Sequence, residues 1–141
     1  MTDLIRQFCK VKHDPENGTY GDCLRACVAT MLGHDVPHFF EDGCDGETGN
    51  KRLRDYLMTL NLAPFTTALD ADQVSKDVLF EFMRVNNPNI NYLLFCRCGG
   101  EDHAVVCRDG GVVHNPAWTP YPVSGPNSSG TWLIMVFCNA D

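Results

Sequence analysis

The chain reads as an α+β fold, with N-terminal helices packed on a C-terminal antiparallel sheet, and three observations predict it. The run CLRACVATML carries apolar residues almost all round a helical axis, the pattern of a buried helix. Two later segments repeat apolar residues at helical spacing. Beyond Pro88 the character changes: INYLLFCRC, HAVVCR, GVVHNP and TWLIMVF are rich in aromatic and branched residues and are separated by turn formers, which is strand chemistry. Helices in one part of a chain and strands in another segregate as α+β.

Taken in order, residues 1–21 are expected to be irregular, with turns at Asp14-Pro15 and Asn17-Gly18. The first helix is predicted from Cys23 to Leu32, with Asp22 as its N-cap and Gly33 as the left-handed residue beyond its end. VPHFFEDGCDGETGN follows as an acidic loop, His38 within it, without the spacing of a calcium site. A second helix is carried by Leu53, Tyr56, Leu57 and Leu60, with Asn50 as its cap. A third is predicted from Asp70 to Val85. Its capping box is Asp70 and Gln73, and its buried stripe is Val74, Val78, Phe82 and Val85. The polar, proline-rich TPYPVSGPNSSG separates the last two strands.

At 141 residues the chain is expected to form a single domain over 1–141. A net charge of −7 argues against partners such as nucleic acid or anionic lipid. No apolar run approaches the roughly 20 residues of a membrane span, and MTDLIRQFCK lacks the apolar core of a signal peptide. A cytoplasmic protein is the expectation. Its eight cysteines are therefore expected as free thiols, since disulfide frameworks belong to short secreted chains. Cys96 and Cys98 form a CxC without a second ligand pair, so no metal is expected and no cofactor is implied.

Cys23 carries the chemical signal. In the first turn of a helix a thiolate lies against backbone N–H groups that have no intrahelical partner. A nucleophilic thiol needs a base, and of the five histidines only His103 and His114 fall in the strand region, inside HAVVCRDGGVVHNPAW. Two hairpin registers are open. A loop of Arg108-Asp109-Gly110, with Gly110 left-handed, sets His103 opposite Asn115, on one face, where the amide oxygen can orient the imidazole. A tighter Asp109-Gly110 turn sets Asn115 opposite Ala104, on the other face.

The chain order of these residues resembles that of papain-like cysteine peptidases: a cysteine opening a buried helix, then a histidine opening a strand and an asparagine closing the next. GDCLRACVATML is similar to the nucleophile helix of that superfamily, and HAVVCRDGGVVHNPAW to its histidine–asparagine hairpin. Asn115-Pro116 is similar to the compact branch that processes double-glycine leaders. The pairing of GDCxxAC with VPHF and HAVV…VVHNP also resembles small proteins of phage genomes.

The resemblance favours the first register and a compact papain-like fold. It implies Cys23 as nucleophile, His103 as base and then acid, and Asn115 as the orienting group. Trp118 lies one residue beyond the position of the family's shielding tryptophan. The oxyanion would be held by the Cys23 N–H and a side-chain amide; where the family has glutamine this chain has Asn17, with Gln7 as the other candidate. The implied activity is hydrolysis of a peptide, isopeptide or other amide through a thioester. The alternatives are an acyltransferase on the same triad and a silent binding or host-modulating protein on the same fold. Cys27, His38 and His114 are expected to be structural.

Overall fold

Strand pairing sets the frame of the molecule. The computed structural model describes residues 4–140; residues 1–3 of the irregular N-terminal stretch and residue 141 lie outside the described residues. Strands β1 (Leu62–Asp70), β2 (Asn91–Cys98), β3 (Glu101–Arg108), β4 (Gly111–His114), β5 (Val123–Gly125) and β6 (Thr131–Asn139) form one sheet. Its order is β1-β6-β2-β3-β4, with β5 paired to the end of β2, and every pairing is antiparallel. With α1 (Cys23–Leu32), α2 (Gly46–Thr59) and α3 (Lys76–Asn86), the fold is α+β. Among the described residues no helix is long and apolar enough to cross a membrane.

Side chains alternate across a strand, so the sheet has two apolar faces and needs two covers. On one face Leu93, Ala104, Val106 and Met135 pack with Cys27, Val28 and Ala29 of α1 and Leu53 and Leu57 of α2. On the other, Tyr92, Leu94, Val105, Cys107 and Ile134 pack with Leu79 and Met83 of α3. The helices therefore lie on both faces rather than on one.

The first helix forms where its sequence places it, closed by Gly33 at φ +80°. Asp22 stands at the N-cap position, but its side chain makes no capping bond. The carboxylate turns away from the helix and accepts from the N–H groups of Lys10 (3.0 and 3.1 Å) and Val11 (3.1 Å) and from Arg25 Nε (2.7 Å). Arg25 extends the clamp, donating to Asp35 Oδ1 (2.5 Å) and to the Phe8 carbonyl (2.8 Å). A buried ion pair thus straps residues 8–11 across α1.

Three sequence expectations are corrected. The second helix starts at Gly46, because Asp45 supplies the cap by accepting from the Thr48 N–H (2.8 Å); Asn50 lies inside it. The third helix starts at Lys76 under Ser75, since Asp70 ends β1, a strand paired to β6 along its whole length. Its buried face is Leu79 and Met83, whereas Val78, Phe82 and Val85 are exposed.

The hairpin combines features of both registers. Arg108 pairs with Gly111 and Cys107 with Val112, the tighter turn, and Asp109 rather than Gly110 takes the positive φ (53°). An aspartate tolerates that conformation when locally bonded. Here its Oδ1 accepts from the Asn89 N–H (2.7 Å) and its carbonyl from the Tyr92 hydroxyl (3.0 Å). A bulge then shifts the pairing so that Val106 faces His114. One inserted residue reverses the in–out parity of everything beyond it.

Candidate active site

The bulge brings His103 and Asn115 together. His103 Nε2 and Asn115 Oδ1 lie 2.8 Å apart. The orientation of the amide is fixed by its other bonds: Oδ1 accepts from the Ala117 N–H and Nδ2 donates to the Tyr121 carbonyl, each at 3.1 Å. An oxygen can only accept, so Nε2 carries the hydrogen and Nδ1 is left as the basic nitrogen of the neutral ring.

Cys23 opens α1 and is partly buried. With His103 it borders one cleft of about 1330 Å³. The first intrahelical bond of α1 runs from the Ala26 N–H to the Asp22 carbonyl, so the Cys23 and Leu24 N–H groups face the thiol without a helical partner. Burial pushes the Cys23 thiol above its ordinary pKa. The N–H groups of Ala104, Leu24 and Cys23 itself pull the other way without overcoming it, and the Asp22 charge adds to the rise.

The thiol and the imidazole make no hydrogen bond. The reason is strand parity. His103 lies opposite Cys96, and Ala104 opposite Phe95. Ala104 is therefore the residue that β3 presents to α1, and its backbone is what the Cys23 sulfur meets. His103 belongs to the alternate set, with Val105 and Cys107, and reaches the cleft only where the strand begins.

The other candidates fall at different places. Trp118 borders the cleft but is 66% exposed, and its indole N–H is bonded to the Cys9 carbonyl. Asn17 does not border it; its Nδ2 donates to Asp14 Oδ2 (2.6 Å) in the 3-10 turn Pro15–Asn17. Gln7 does not border it either. Its N–H bonds Thr30 Oγ1 (2.9 Å), and its carbonyl accepts from His114 Nε2 (2.6 Å). Asn50, expected as a cap, is a side-chain amide on the cleft wall.

The bonds of the remaining residues are structural. Cys27 is fully buried, donating to the Ala104 carbonyl. His38 accepts from the Phe40 N–H at Nδ1 and therefore donates from Nε2 to the Tyr20 carbonyl (2.7 Å). All eight cysteines are free thiols, with Cys96 and Cys98 Sγ 3.8 Å apart in the interior. Among the described residues no group of three or more histidine, cysteine or acidic side chains is placed to hold a metal ion.

Sequence reasoning missed the wall built by Cys9, Val11, Lys12 and His13. Burial holds the Cys9 thiol up at about 12. Nothing in an aperiodic polar stretch signals such a wall. The only trace is Asp22, an acid before a buried helix, whose partners turn out to be that stretch.

Compared with family models, curated protein sequences and solved structures, the chain matches none of them.

Proposed function

We propose that this chain is a cysteine hydrolase that cleaves a peptide, isopeptide or related amide bond. The observation that carries the reading is a histidine held by an asparagine, His103 by Asn115, that borders a cleft which also holds a cysteine at a helix N-terminus. In the reaction His103 Nδ1 takes the Cys23 proton as the sulfur attacks the carbonyl carbon. The developing oxyanion is met by the free N–H groups of the first turn of α1. The ring then returns the proton to the leaving amine, a thioester remains on Cys23, and water activated by the same ring releases the acid.

A second reading, a binding protein without catalysis on the same fold, is favoured by one observation: the Cys23 sulfur makes no hydrogen bond to the His103 ring, whose Nε2 is held by Asn115. One experiment separates the two. The protein is treated at neutral pH with a thiol-directed acylating probe and mapped by mass spectrometry. Hydrolase chemistry gives a dominant adduct at Cys23 that His103→Ala suppresses, while labelling of exposed Cys138 is unchanged. Labelling at Cys138 alone, or a Cys23 adduct indifferent to His103, rejects the hydrolase.

A further inference from the structure

Five of the cations in this acidic chain are paired with carboxylates: Lys10 and Arg25 with Asp35, Lys51 with Asp55, Arg52 with Asp42, and Arg84 with Glu81. Lys12, Arg54 and Arg97 make no such pair among the described residues, and all three border the cleft of Cys23 and His103. They come from separate parts of the fold: the strapped N-terminal segment, α2 and β2. Arg97 has an acid directly across the ladder, Asp102, yet that carboxylate is turned to the Ser128 N–H (2.8 Å) and hydroxyl (2.6 Å).

The acids of the cleft do not cancel this set. Asp22 is neutralised by Arg25, while Glu101 and Asp102, the latter turned to the neutral Ser128, keep their charges, two acids against three cations. The same cleft has an apolar part, made by Phe39, Phe40, Leu53, Phe95, Leu133 and Met135. Unpaired cations that line one concavity of a negatively charged protein focus an attractive field on anions there.

We propose that the cleft takes an acidic peptide segment, its carboxylates held by Lys12, Arg54 and Arg97 and its apolar side chains by the apolar part of the same lining. This names the substrate class of the hydrolase reading and rests on it for the identity of the cleft. Arginine suits the role because its planar fork bonds a carboxylate through two donors.

The test reads binding alone, in the Cys23→Ala protein, so its outcome is independent of whether Cys23 performs chemistry. Two fluorescein-labelled peptides of equal length are compared by fluorescence polarisation at low salt. Leu and Phe alternate with Glu in one and with Lys in the other. The acidic peptide should bind about tenfold more tightly, and the preference should fade as salt rises. The protein's net charge of −7 pulls the other way, so non-specific attraction would favour the basic peptide.

Lys12→Gln, Arg54→Gln and Arg97→Gln together should erase the preference, and Lys76→Gln, outside the cleft, should leave it intact. Should the triple variant lose the parent's melting transition, Arg54→Gln alone reads the same effect at about twofold. Equal or tighter binding of the basic peptide overturns the proposal. So does a preference that survives loss of the cleft cations.

Discussion

His103 Nε2 and Asn115 Oδ1 meet at 2.8 Å because Val113 is an extra residue in β4, and the turn alone would have set them on opposite faces. Asn115 is also bonded to the backbone at Ala117 and Tyr121. Asn115→Ala should therefore cost about 2 kcal/mol in urea unfolding, more than a single neutral hydrogen bond, because two backbone groups lose a partner as well. It should lower acylation of Cys23, and His103→Ala should lower it further. His114→Ala should leave the rate at Cys23 within about twofold, as its ring is occupied with the Gln7 carbonyl.

The ionisation of Cys23 gives a second measurement. Burial and the Asp22 charge raise the thiol pKa. Its alkylation by iodoacetamide should thus climb with pH to a midpoint above the 9.0 of an unperturbed thiol. Asp22→Asn should move the midpoint down by removing the nearby charge. A wild-type midpoint well below 9.0 would show that the imidazole reaches the sulfur in the free protein, contrary to the geometry described.

Acid should loosen the N-terminal strap in two stages. Burial holds the His114 pKa below its ordinary 6.5, helped by Arg6 and opposed by the Gln7 carbonyl. The unfolded chain takes the proton first, so this contribution is whole above 6.5 and is lost as pH falls from there toward the lower folded value. Burial pushes Asp22 up, but bonds from Arg25, Lys10 and Val11 bring it below the ordinary 3.8. Its contribution is whole above 3.8 and is lost as pH falls further. Hydrogen exchange at the Lys10 and Val11 amides should report both stages, and His114→Gln should remove the first. Asp22→Ala takes away the buried partner of Arg25 and leaves it the exposed Asp35, which should cost about 3 kcal/mol at neutral pH.

The faces of α3 supply a fourth check. Leu79→Ala and Met83→Ala should each cost about 2–5 kcal/mol, as large-to-small changes in a packed core do. Val78→Ala and Val85→Ala should cost less than about 0.5 kcal/mol in the same unfolding assay.

These cases show what periodicity can and cannot read. The first helix was legible to the residue, since a run apolar on every side has one arrangement, and Gly33 marks its end. In KDVLFEFMRVN, by contrast, Val78, Phe82 and Val85 form one helical stripe and Leu79 and Met83 another, and only the sheet beneath decides which is buried. β1 was hidden because Pro64 breaks its strand signal and Asp70 imitates a cap, whereas the pairing with β6 is a long-range fact. Of the candidate site, the facing of His103 and Asn115 and the place of Cys23 at the start of α1 were legible. The bulge was not, because its parity depends on one residue among several valines and glycines. Nor could the side-chain bond that holds Asn17 to Asp14 be read from its position.

The strap has a consequence for the order in which this molecule can be made. Gln7 is bonded to His114, Cys9 to Pro116 and Trp118, and Arg6 to Val113, partners separated by up to 109 residues. During synthesis residues 6–9 must wait for the β3–β4 hairpin before they can settle, and contacts of such separation form late. Until then the wall of Cys9, Val11, Lys12 and His13 lacks its anchors at Pro116 and Trp118. The cleft is therefore completed by residues 9–13 only once β4 and the segment after it are in place.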